Sequence, residues 1–175
     1  MIRTPVFTVG ILLAFLLTSC NRKLTLQSYL VESQTKKGFT SIDLPMSFIQ
    51  PKKDEVSDEI KNVYQSIRKV NLVGFPYLNN EVTYETEKKT LKAIFKNSDS
   101  YKNLIKADLK GMKLNLYYND DMDSIDEFIV FGYSKEVGVG VARILGENMN
   151  PLKMIQLVQY LEIDPMMMNL QQFKG

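Results

Sequence analysis

The chain has 175 residues, 45% of them hydrophobic and 24% charged, the length and composition of one ordinary globular domain. It has no histidine, no tryptophan and a single cysteine, which excludes an imidazole base, a histidine-ligated metal, a Cys-His pair and an internal disulfide. A net charge of +2 falls far short of the basic face that nucleic-acid binding needs, so no nucleic-acid partner is expected.

Arg3 supplies a minimal positive start, and Val6 to Leu17 is an apolar stretch of 12 residues broken only by Thr8 and Gly10, the form of a secretory signal. It is shorter than the roughly 17 to 25 residues of a membrane-spanning helix. Leu17-Thr18-Ser19-Cys20 closes it and resembles the bacterial lipobox, which implies thioether lipidation of Cys20, cleavage before it and acylation of the new amino group. The alternative is a soluble secreted protein with a chance cysteine; that the only cysteine sits at the cleavage point favours the lipoprotein. The expected organisation is a lipoprotein signal over 1–19, a lipidated cysteine and short tether over 20–25, and one domain over 26–175. At about 3.5 Å per extended residue, the tether holds that domain within roughly 20 Å of the headgroups.

Leu26, Tyr29 and Leu30 lie at helical spacing and predict a first helix to about Lys36, stopped by Lys37-Gly38. Phe39 to Leu44 is a strand, and Pro45 starts a short helical segment. Ser57 is an N-cap for a helix with a Val56, Ile60, Val63, Tyr64, Ile67 stripe, closed by Arg68 and Lys69. Val70 to Tyr77 is the next strand. Tyr84, Leu91, Ile94 and Phe95 mark a long helix whose Glu85, Glu87, Lys88, Lys89 and Lys92 are assigned to a solvated face. Ser100 caps one more helical turn through Leu104 and Ile105. Three strands follow, from Met112 to Tyr118, Ile125 to Tyr133 and Val137 to Leu145. Asn150-Pro151 opens the last strong helix, with Leu152, Met154, Ile155, Val158 and Leu161. This order predicts a single-domain α+β fold, a mostly antiparallel sheet of about five strands in a β-α-β-α-β-β-β-α core with helices packed on it.

Asp120, Asp121, Asp123, Asp126 and Glu127 form the densest acidic cluster. As a calcium loop it fails, because the sixth position would be Ser124 instead of Gly and the twelfth Val130 instead of a bidentate Glu. No metal or cofactor is expected. Gly138, Gly140 and Gly146 do not make a dinucleotide fingerprint, since Arg143 stands where Gly is required; they belong to a strand. A hairpin tipped by Ser134-Lys135 would pair Tyr133 with Glu136, set Phe131 beside Gly138 and Ile129 beside Gly140, and place Arg143 opposite Asp126 or, with a bulge, Glu127. That pairing is a structural ion pair rather than a ligand-binding arginine. Asp43, Glu81, Asp126 and Glu127 are the acids from which a glycan-hydrolysing pair would have to be drawn, and Ser134-Lys135 lacks the Ser-x-x-Lys spacing of one helix face. Met154 and Met166 to Met168, near Phe173, read as core filling, with a pliable partner surface as the alternative.

Tyr29 to Gln34, Gly38 to Pro45, Ile67 to Val70, Phe75 to Tyr77, Tyr84 to Glu87, Asp126 to Gly132 and Gly140 to Arg143 together resemble the Bacteroidota lipoproteins grouped as domain of unknown function 4252. The resemblance implies a signal-bearing envelope protein and no known activity, cofactor or catalytic residue. An acidic run just after the cysteine would resemble a surface-export signal in that phylum; Asn21-Arg22-Lys23 is basic, which favours the periplasmic side. The expected function is a non-enzymatic binding or assembly module, held to the membrane at Cys20 and engaging another envelope protein; the alternative is an envelope hydrolase working through a carboxylate pair.

Overall fold

Thr25 starts the first helix through a reciprocal cap: its hydroxyl accepts from the Ser28 N–H at 3.1 Å, and the Ser28 hydroxyl accepts from the Thr25 N–H at 3.1 Å. In this computed structural model the described residues are 24–46, 57–78, 80–109, 111–119 and 125–160. The helices are α1 (Leu26–Thr35), α2 (Asp58–Ser66), α3 (Glu81–Lys96) and α4 (Pro151–Tyr160). The strands are β1 (Thr40–Pro45), β2 (Ile67–Pro76), β3 (Tyr101–Leu109), β4 (Met112–Asn119), β5 (Glu127–Ser134) and β6 (Gly138–Gly146). Asp58 and Glu59 sit at the positive end of α2; Asn80 and Asn150 cap α3 and α4 by accepting from the Thr83 N–H at 3.3 Å and the Lys153 N–H at 3.1 Å. The short helical segment expected after Pro45 and the Met166 to Met168 run lie outside the described residues.

The strands form one sheet in the order β1-β2-β6-β5-β4-β3, with every neighbouring pair antiparallel. The domain is α+β, as expected, with six strands instead of about five. Helix α3 carries the chain from β2 to the far edge, and β3 to β6 return as a meander that closes against β2. Helices cover both faces. Leu26, Tyr29 and Leu30 of α1 and Tyr84, Leu91, Ile94 and Phe95 of α3 pack with Val73, Phe75, Ile129, Phe131, Val139 and Val141 on one face. On the other face Val63 of α2 and Met154 and Leu157 of α4 pack with Val70, Leu116, Tyr118, Phe128 and Ile144. Met154 is therefore core, as the spacing suggests. Burying such a side chain contributes about 1.5 to 3 kcal/mol.

Three expectations are corrected. The segment after Ser100 is not a helical turn but edge strand β3, paired with β4 from Tyr101↔Asn119 to Leu109↔Met112. Two adjacent apolar residues, Leu104 and Ile105, cannot tell the two periods apart, and the ladder satisfies a whole row of backbone groups. Arg68 and Lys69 do not close α2; they lie in β2, where Lys69 pairs with Asp43 of β1 at 2.7 Å and Arg68 with Glu147.

The third correction is the hairpin register. The turn has three residues, 135–137, and β5 pairs with β6 as Ser134↔Gly138, Gly132↔Gly140, Phe131↔Val141, Ile129↔Arg143 and Glu127↔Leu145. Phe131 is thus not beside Gly138, nor Ile129 beside Gly140. A two-residue turn needs residues that accept positive φ, and Ser134-Lys135 offers none. Instead the Ser134 hydroxyl accepts from the Val137 N–H at 3.1 Å and Gly138 re-enters the strand at φ +133°.

Candidate functional site

Two groups of polar side chains are drawn into the α1/α3 face of the sheet. In the first, Tyr29 and Ser33 stand one turn apart on α1, Lys36 follows its last turn, and Glu87 faces them from α3. Glu87 and Ser33 are each only 2% exposed and Tyr29 is 6%. Lys36 donates to a Glu87 carboxylate oxygen from the protein surface, and Tyr29 is bonded to both Glu87 and Ser33. Burial, reinforced by the Glu87 charge, pushes the Tyr29 phenol far above its usual range, so it donates and never ionises near neutral pH. No buried side-chain nitrogen or oxygen among the described residues lacks a hydrogen-bond partner.

Placing Glu87 on a solvated face was wrong. Its helix buries Tyr84, Leu91, Ile94 and Phe95, and counting back four residues from Leu91 lands on Glu87, inside that stripe. The spacing carried the signal, which the charge obscured. A cleft of about 120 Å³ opens beside the cluster, lined in part by Leu24, Thr86 and Thr90. Typical small-molecule sites measure roughly 300 to 1,000 Å³, so this one admits little beyond water. With its carboxylate held by an ammonium and a phenol, the cluster acts as a clasp between α1 and α3.

The second group contains the expected ion pair. Arg143 Nε donates to Glu127 Oε1 at 2.7 Å, and the Tyr101 hydroxyl donates to the same oxygen at 3.2 Å. The pair is diagonal, since Arg143 lies opposite Ile129 and Glu127 opposite Leu145. Asp126 is not Arg143's partner. Its carboxylate accepts from the Asn148 N–H at 3.2 Å and its carbonyl from the Gly146 N–H at 3.0 Å, which ties it to the turn after β6. The guanidinium and carboxylate side chains are 27% and 13% exposed, so removing the cation leaves a largely buried charge. Arg143→Ala is expected to cost about 1 to 3 kcal/mol in urea unfolding, with Arg143→Lys between it and the parent chain.

Burial, with the Glu127 charge adding to it, holds the Tyr101 phenol up to about 12. Unfolded tyrosines release their protons near 10, so the unfolded chain binds fewer protons than the folded one between about 10 and 12 and stability falls as pH rises through that window. Tyr101→Phe should make the alkaline end of a stability profile less steep, leaving the profile near pH 7 parallel to the parent.

The other candidate acids are dispersed. Lys69 donates to Asp43 and Lys135 donates to Glu81, and each carboxyl is thereby held below its ordinary range, the opposite of a general acid's requirement. Ser134 and Lys135 do not work together: the hydroxyl holds the hairpin turn and the ammonium pairs with Glu81 at 3.1 Å. Among the described residues no group of three or more His, Cys, Asp or Glu is arranged to hold a metal ion, and no helix is long and apolar enough to cross a membrane. Cys20 and Asp120 to Asp123 lie outside the described residues.

A family model described as domain of unknown function (DUF4252) matches residues 32–157. The chain belongs to this family. No curated protein and no solved structure matches it. The family's span takes in all six strands, the Arg143–Glu127 pair and three members of the clasp, Ser33, Lys36 and Glu87.

Proposed function

We propose that this chain is a lipid-anchored binding or assembly module of the bacterial cell envelope, facing the periplasm and without catalytic activity of its own. The observation that carries the reading is Leu17-Thr18-Ser19-Cys20, a lipobox-like run that closes a 12-residue apolar stretch with the only thiol in the chain. The binding role is supported by the chemistry of the acids. Glycan hydrolysis needs two carboxyls facing each other with divided protonation. Here Glu87 is held by Lys36 and Tyr29, and Glu127 by Arg143 and Tyr101, so each acid is committed to its own neighbours. The partner is another envelope component, recoverable by mild crosslinking in intact envelopes; recovery of this chain alone under several growth conditions would count against the role.

Two acyl chains suffice for stable attachment. Cys20→Ser is therefore expected to lose the lipid mass and to leave the membrane pellet in high salt. A serine variant that still sediments with membranes in high salt would refute the anchor.

A further inference from the structure

Most lysines on the described surface are matched with carboxylates. Lys61 pairs with Asp58 at 3.1 Å, Lys113 with Asp108 at 2.5 Å, Lys135 with Glu81 at 3.1 Å and Lys153 with Glu59 at 3.6 Å. The second half of α3 departs from this pattern. Lys89, Lys92 and Lys96 are exposed, and none has a carboxylate within ion-pair reach among the described residues. They recur at i, i+3 and i+7, which sets them in one outward stripe opposite the buried Leu91 and Ile94. Like charges at this spacing repel one another along the helix, and the fold offsets this only in part, through the place of Lys96 in the last turn at the negative end of the helix dipole. Lys92 lies over the Tyr133 ring, 4.6 Å from its centre, which leaves an aromatic side chain at the edge of the stripe.

Position supplies the second observation. Leu24, which leads into α1, lines the same cleft as Thr90 of α3. Thr90 is the neighbour of Lys89, so the chain enters the domain beside this half of the helix. On the far side of the sheet α2 begins with Asp58 and Glu59, and the lysines there are already paired.

We infer that the Lys89, Lys92 and Lys96 stripe docks on anionic phospholipid headgroups, so that α3 lies along the membrane surface and α2 and α4 face away from it. This rests on the anchor proposed above. An acyl anchor fixes where the domain sits but leaves it free to rotate about its tether. Three cations on one rigid helix remove that freedom, because the attraction to an anionic surface decays over about 8 Å at physiological salt.

The test uses the mature lipidated protein in nanodiscs, with the acetylation rate of each lysine amine read by mass spectrometry. On discs with about 30% phosphatidylglycerol, Lys89, Lys92 and Lys96 should react about fivefold more slowly than on pure phosphatidylcholine. That protection should disappear at about 0.5 M salt, where the screening length falls to roughly 4 Å, while Lys61 and Lys153 react alike on both discs. Equal rates for the stripe on the two discs, or protection of Lys61 and Lys153 instead, would overturn the inference. The mass of the amino-terminal peptide reports acylation separately: a chain without acyl groups refutes the anchor, and its protection pattern on the same lipids still decides for or against the stripe.

Discussion

Gly138→Ala should destabilise the domain by more than about 3 kcal/mol, enough to unfold a marginal protein at modest urea concentration. Gly138 follows the β5–β6 turn at φ +133°, a region nearly closed to side chains, and a Cβ there would lie 2.2 Å from the Phe75 carbonyl oxygen and 2.8 Å from the Pro76 Cα. Both are backbone atoms of the neighbouring strand β2, so relief would require parting β6 from β2. Gly111 is the control. It sits at φ +83° with nothing within 4 Å of an added Cβ, so Gly111→Ala carries backbone strain alone, about 1 to 2 kcal/mol. Urea midpoints of the two variants should differ clearly; equal midpoints would mean that β2 and β6 do not approach as described.

The clasp between α1 and α3 gives the second large effect, with a size that depends on which partner is removed. Lys36→Ala leaves the Glu87 carboxylate 2% exposed without its cation and should cost about 3 kcal/mol. The reverse change is milder: Lys36 is 52% exposed and can be solvated when Glu87 becomes neutral, so Glu87→Gln should cost less than about 1.5 kcal/mol. Combining the two should recover most of the Lys36→Ala loss. Equal costs for the single changes, with no recovery in the double, would show that Glu87 is not a buried charge held by Lys36.

Much of the fold was legible because its elements carry local signals. The caps at Asn80 and Asn150 and the apolar stripe of α3 are written in a few neighbouring residues. What escaped depended on distant partners. β3 is only weakly buried along its length and is a strand because β4 pairs with it. The hairpin register hung on a turn in which the Ser134 side chain completes what a glycine would otherwise supply, and the wrong turn length moved every later pair. Arg143 still meets an acid, since the observed register sets it opposite Ile129 and leaves Glu127 within diagonal reach. Glu87 was missed for a different reason. A carboxylate in an apolar stripe is read as solvated unless Lys36 and Tyr29, more than fifty residues earlier, are known to face it.

The central claim is attachment to the envelope through Cys20, and the mass of the amino-terminal peptide of protein taken from bacterial membranes tests it most directly. The expected peptide begins at Cys20 and carries a thioether-linked diacylglyceryl group and an N-acyl chain. A peptide with an unmodified Cys20, or one that still contains residues 1–19, would contradict it.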